Sequence, residues 1–215
     1  MIPSSRDVVL GRIRNALGPD RAARANAAVQ RRSDIPVWTR PVFLDDDTER
    51  FIAKAEASFC TVERLASING AGEAVERLLA VRGPDRDLSI APSLIKMPWP
   101  QSWKINFGAG RLIEKVSITD ALAGIAETGS LVFCSEASRP ASLNFLPELH
   151  IAVLRRCDIV HHLEDIWPKV RALPVWPRAV NIVSAPSRTA DVAQIVVRPA
   201  HGPKALHILL VEELP

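Results

Sequence analysis

GIAETGSLVF, residues 124–133, decides how the rest of this chain is read. Small and apolar residues over 120–126 run into Glu127-Thr128-Gly129-Ser130, and an apolar run, 131–134, leaves it. The first stretch reads as a helix capped by Asp120, the second as a strand. The segment is then a helix-to-strand joint. Short apolar strands that alternate with helices predict an α/β domain on a mostly parallel, two-sided sheet. Such a joint needs its glycine. It does not need a carboxylate and two hydroxyls, which makes Glu127, Thr128, Gly129 and Ser130 candidate site residues.

The alternation continues on both sides. Helical spacing predicts helices over 47–57 and 72–80 and over 163–173 despite Pro168, with a short helix over 189–194. Apolar runs predict strands over 59–65, 88–91, 116–119, 131–134, 150–154, 159–160, 180–183, 195–197 and 206–211. A long Trp-, Pro- and Gly-rich connection covers 97–110. Upstream, Val9, Ile13, Ala16 and Leu17 mark a helix over 7–17, with Ser5 placed to cap it and Gly18-Pro19 ending it. An Ala/Arg-rich short helix and a linker follow. The expected organisation is an N-terminal helical arm and linker, 1–40, and an α/β domain, 41–215.

Composition narrows the function classes. The 215 residues are 47% hydrophobic and 24% charged, as expected of a soluble protein with one substantial core. No apolar run reaches the roughly 18–20 residues that span a bilayer. Charges at Arg6, Asp7, Arg12 and Arg14 interrupt the N-terminus, unlike a secretory signal. The expectation is a cytoplasmic protein with no membrane span. A net charge of +3 admits an anionic ligand or an acidic partner. Residues 1–40 hold eight arginines against three aspartates, so this arm is either a solvated helix or a docking element. Trp38 is its only aromatic residue, which argues against nucleic acid. Cys60, Cys134 and Cys157 lie far apart and outside any CxxC pair, so this chain is expected to hold no cluster and no metal. Each reads as a buried small hydrophobe.

Two constellations carry most of the chemistry. At a strand end of an α/β sheet, Gly129 lets a ligand approach the backbone, and free N–H groups beside it hold an anion. Thr128 and Ser130 add donors, and Glu127 has the chemistry of a general base or an acyl-accepting nucleophile. A plain turn with a capping hydroxyl fits the same residues. SAPSRTADVAQ, residues 184–194, follows an apolar strand. Ser187 or Thr189 is placed to cap a helix, with Arg188 near its positive end to grip a carboxylate or phosphate and Asp191 to orient the arginine. A capped helix with a surface Arg–Asp pair fits equally. His201, in the turn His201-Gly202-Pro203, titrates near neutrality if exposed. His150 opens a strand, where a buried structural role and a site-lining role both fit. His161 and His162 are adjacent and point in different directions on regular structure, so they form no metal site on their own.

GIAETGSLVF, RPASLNFLPELHIAVLRRCDIV, SAPSRTADVAQIVV and HGPKALHILL, in this order, resemble the lactate-utilisation (LUD) domain family, its stand-alone C-component branch in particular. SRDVVLGRIRNAL resembles that family's usual start. The resemblance implies the sheet of the sugar-phosphate isomerase and coenzyme A transferase superfamily. It also implies a place in a bacterial complex that oxidises L-lactate to pyruvate, with the iron–sulfur clusters on partner subunits and a small anionic metabolite as ligand. Arg188, Thr189 and Asp191 match the family pattern. Ala185 stands where glycine is usual, Val192 and Ala193 replace its closing Ile-Glu, and Pro199 replaces another glycine, so any catalytic role of that segment is in doubt. The resemblance joins Glu127, Thr128, Gly129, Arg188 and Asp191 in one pocket. The alternatives are a stand-alone acyl-CoA transferase or sugar-phosphate isomerase using Glu127, and a non-catalytic ligand sensor.

Overall fold

A computed structural model describes residues 4–33, 40–82, 87–111, 114–187, 189–190, 196–197 and 202–213. The chain divides into two compact units, residues 1–43 and 44–215.

The first unit holds α1 (Ser5–Leu17) and α2 (Arg21–Ser33). Ser4, one residue earlier than expected, caps α1: its Oγ accepts the Asp7 N–H at 3.2 Å. Gly18, at φ +70°, ends the helix. No residue of α1 is buried, and Val9, Ile13 and Leu17 remain about half exposed.

In the second unit, helices α3 (Asp47–Ala57), α4 (Ala71–Arg82), α5 (Ser142–Phe145) and α6 (Ile166–Arg171) accompany ten strands. These are β1 (Thr61–Leu65), β2 (Asp87–Ile90), β3 (Lys104–Phe107), β4 (Val116–Asp120), β5 (Ala123–Ile125), β6 (Ser130–Cys134), β7 (Leu149–Arg155), β8 (Ile159–Val160), β9 (Val180–Val183) and, after a two-stranded ribbon, β12 (Ala205–Val211). The ribbon is β10 (Thr189–Ala190) with β11 (Val196–Val197). Six strands form an all-parallel sheet in the order β1-β12-β7-β4-β2-β3. Four more form a mixed sheet, β8-β5-β6-β9.

Strand periodicity sorts the central strands into two faces. Leu149, Ile151 and Val153 of β7, with Leu209 and Val211 of β12 and Val116 and Ile118 of β4, share a core with Ala71, Ala74, Val75 and Leu79 of α4. The opposite face carries His150, Ala152 and Leu154, with Leu206, Ile208 and Leu210, against the smaller sheet. There the Phe133 and His150 rings lie 5.2 Å apart. Ile166 of α6 joins Ala123, Ile125 and Val132 in a second core. A sheet covered on both faces explains why its strands read as continuous apolar runs.

One expected helix is a strand, and the described start of another, residues 189–190, is too. Residues 120–126 hold no helix: β4 runs through Asp120, and β5 pairs antiparallel with β6. Ala123, Ile125 and Ala126 are all buried, so helical periodicity carries no information there. A Cβ on Gly124 would lie 2.7 Å from Leu154 Cδ2 and 3.0 Å from Phe51 Cε2, which fits a strand pressed between layers. The Asp120 carboxylate accepts from Ser93 and Arg139 instead of capping a helix. Thr189 and Ala190 likewise pair with Val197 and Val196, where a helix was expected.

The expected strand over 59–65 begins at Thr61, because Phe59 sits at φ +68° and closes α3. Phe59 N–H donates to Glu56 O and Cys60 N–H to Ala55 O, the paired bonds of a left-handed helix end. Pro168 is tolerated because it falls in the first turn of α6. The Trp-rich connection is packed rather than open. Trp99 and Trp103 stack at 5.8 Å, and Trp103 Nε1–H donates to Glu76 Oε2 at 2.7 Å.

Candidate functional site

Glu127, Thr128 and Gly129 form the turn between β5 and β6, and Ser130 is the first residue of β6. The turn is therefore a hairpin tip, not a helix-to-strand joint. Gly129 is at φ +69°, and its N–H donates to Ile125 O at 2.8 Å. A Cβ there would lie 2.3 Å from Ala55 N and 2.6 Å from Lys54 C, so the tip rests on the last turn of α3. Glycine is required by both conformation and space.

The Glu127 side chain turns to another partner. Its Oε2 accepts the Leu163 N–H at 3.3 Å and lies 3.4 Å from His162 Nδ1. It thus meets the free backbone end of the 3-10 turn Leu163–Asp165. His161 Nδ1 bonds Asp47 Oδ1 at 2.5 Å, and the two histidine rings meet edge to face at 4.4 Å. The adjacent histidines thus lie side by side, against the expectation that they point in different directions, although each meets its own carboxylate.

Hydroxyls join the two sequence motifs. Thr128 Oγ1 bonds Ser130 Oγ at 2.7 Å, and Ser130 Oγ bonds Ser184 Oγ at 2.7 Å. This chain ties the hairpin tip to the residue after β9, where the second motif begins. Cys60 Sγ lies 3.9 Å from Ser184 O, and burial pushes its thiol up to about 11, which keeps it unreactive at neutral pH. Cys134 is also buried, whereas Cys157 is exposed, against the expectation for all three. Among the described residues, no group of three or more His, Cys, Asp or Glu side chains is placed to hold a metal.

Ser187 N–H donates to Pro203 O at 2.8 Å, and a Cβ on Gly202 would meet Ser187 Cβ at 3.2 Å. Thr189 is in β10. Arg188, Asp191 and His201 lie outside the described residues.

Beside Ser187 and Gly202, a cavity of about 190 Å³ opens where β7 and β12 begin. Phe145, Val183, Pro186, Pro203 and Leu206 give it apolar walls; Asn144, His150 and Ser187 are its polar members. Glu127, Thr128, Gly129 and Ser130 are not among its lining residues. His150 is fully buried, and its Nε2 bonds Thr119 Oγ1 at 2.8 Å. Desolvation lowers its pKa to about 3, so the ring is neutral. Among the described residues its Nδ1 has no hydrogen-bond partner. Asn144 was not a candidate on sequence, and His150 was read two ways. The available signal was one polar residue on an alternating face of an otherwise apolar strand, LHIAVL.

An α/β domain with a parallel six-stranded sheet backed by a smaller mixed sheet defines the class. The crystal structure of a DUF162 family protein from Deinococcus radiodurans has the same fold: TM-score 0.60 at 20% identity, covering 80% of this chain and 100% of that one. Residues 113–211 match the LUD domain. An uncharacterised Escherichia coli K12 protein, YkgG, is 36% identical over 103 residues, 46% of this chain and 45% of that protein. Lactate utilization protein C of Halalkalibacterium halodurans is 28% identical over 112 residues, 48% of this chain and 49% of that protein. The chain spans about half the length of the curated relatives it matches. Among the described residues, no helix is long and apolar enough to cross a membrane.

Proposed function

We propose that this chain serves in bacterial lactate utilisation as a component without an iron–sulfur cluster of its own. In this reading it binds a small anionic metabolite and works beside cluster-bearing subunits that oxidise L-lactate to pyruvate. The supporting observation is where the matched region falls. Residues 113–211 take in β4 through β12, and with them the cavity residues Asn144, His150, Val183 and Ser187. The part of the chain that matches the LUD domain is thus the part that builds a ligand-sized space. The basic first unit supplies positive charge for an acidic partner surface.

The test is lactate oxidation in extracts of a strain lacking this chain. Deletion is expected to abolish oxidation and the returned wild-type chain to restore it. Unchanged oxidation after deletion would refute the proposal.

A further inference from the structure

A cleft of about 510 Å³ opens where β2 and β3 begin, at the opposite edge of the large sheet from β1. That volume falls in the range of small-molecule sites. Asp87, Lys104, Asn106, Arg111 and Glu114 are its polar members, and none of them lines the cavity beside Ser187.

A buried carboxylate holds the arginine of this cleft. The Glu114 side chain is 2% exposed and that of Arg111 58%. Glu114 Oε1 accepts from Arg111 Nε–H at 2.7 Å and also from Nη2–H, and Oε2 accepts the Arg111 backbone N–H at 3.1 Å. Ser89, fully buried, bonds the same carboxylate. Asn106 Nδ2 in turn donates to Ser89 Oγ at 3.2 Å and to Ala109 O at 3.1 Å. Gly110 N–H donates to Ser142 Oγ at 3.0 Å, and a Cβ on Gly110 would lie 3.3 Å from Ser142 O. The stretch NFGAGR, residues 106–111, is thus fastened at Asn106, Gly110 and Arg111.

Desolvation cancels most of what such an ion pair gains in stability. What the arrangement fixes is the direction of the guanidinium. Glu114 takes its Nε–Nη2 edge. The Nη1–Nη2 edge has no hydrogen-bond partner among the described residues, and it is a planar fork that matches two oxygens of one anion. Lys104 Nζ lies 3.8 Å from Asp87 Oδ1, beyond hydrogen-bond length, and its side chain is 85% exposed. A planar carboxylate has two oxygens, which the fork alone satisfies. A tetrahedral phosphate has a third, and a lysine ammonium in the same cleft is a point-charge donor for it. Two carboxylates balance the two cations of the lining, so hydrogen-bond geometry selects the ligand and long-range attraction does not.

We infer that this cleft binds the phosphate group of a small phosphorylated molecule, with two oxygens on the outer edge of Arg111 and a third on Lys104. Glu114 is the residue that positions the arginine. This is a second site, and it stands or falls independently of the proposed role in lactate utilisation.

The experiment is NMR titration of the full chain with inorganic phosphate and with acetate, read from the Arg111 Nε–H and Lys104 side-chain signals. At about 0.15 M ionic strength, attraction between distant exposed charges is screened. Saturable shifts are expected with phosphate, and acetate is expected to bind about tenfold more weakly. Arg111→Lys keeps the charge and loses the fork, and should weaken phosphate by about tenfold. Lys104→Gln should weaken it by about fivefold. Arg77→Gln removes an equal charge from an ion pair with Glu63, outside the cleft, and should bind phosphate as wild type does. No saturable shift with phosphate would overturn the inference. So would acetate binding as tightly as phosphate, Arg111→Lys or Lys104→Gln binding like wild type, or Arg77→Gln weakening phosphate as much as Lys104→Gln does. If Arg111→Lys fails to fold, Lys104→Gln decides, because that exposed side chain takes no part in the core.

Discussion

Lowering the pH from 7 to 5 tests whether His150 is held neutral by burial. The unfolded ring takes up a proton near 6.5, whereas the folded ring stays neutral down to about 3. Between these values the unfolded state binds more protons. The stability that burial withholds from protonation is therefore complete above about pH 6.5 and falls as pH drops toward 3. One pH unit corresponds to about 1.4 kcal/mol per proton, so the wild-type chain should lose about 2 kcal/mol through this residue by pH 5. Phe133 and Thr119, which contact the ring, bear no charge that would offset the loss. His150→Gln keeps an acceptor for Thr119 and removes the titration. Glu114, held low by the Arg111 guanidinium against an opposing effect of burial, titrates in both proteins and cancels in the comparison. Urea unfolding of both at pH 7 and pH 5 reads the difference. If wild type and His150→Gln lose the same stability within about 0.5 kcal/mol, the ring is not held neutral.

Gly129→Ala should destabilise by about 3 kcal/mol, because a left-handed backbone and an overlap with α3 coincide there; thermal melts check it, and a loss under about 1 kcal/mol would contradict the geometry. Ser130→Ala removes the middle of the hydroxyl chain at a residue 1% exposed and should cost about 1–3 kcal/mol in the same assay. Glu127→Gln retains an oxygen for the Leu163 N–H and should restore lactate oxidation in the deletion strain as wild type does. A folded Glu127→Gln chain that fails to restore it would give the carboxylate a chemical role. Phe59→Gly relieves a left-handed aromatic residue and should stabilise by up to about 1 kcal/mol in urea.

The parallel sheet was legible because burial on both faces writes long apolar strands, and residues 149–155 and 205–211 are such runs. The hairpin was not. Residues 123–126 are all buried, so period two and period 3.6 predict the same composition. Only a long-range fact, the closeness of Leu154 and Phe51, selects the strand. The candidate residues of the hairpin were picked for chemistry that local geometry already employs. Glu127 meets a backbone N–H, and Thr128 and Ser130 bond within the fold. The cavity residues were harder to single out, because Asn144 and His150 come together only where separate segments meet. Such a meeting is a property of the assembled sheets and leaves little trace in a linear pattern.

The order of the large sheet has a consequence for synthesis. Strand β12 lies between β1 and β7, so the first strand of the sheet finds its neighbour only after residues 205–211 have been made. Until then the nascent chain carries two open strand edges facing a gap, with every link across it of long sequence separation. Such topologies fold slowly and leave edges open to other chains. A message truncated before codon 205 would therefore yield not a smaller domain but a lone β1 strand and a four-stranded sheet with nothing to join them, a product for proteases and chaperones to find.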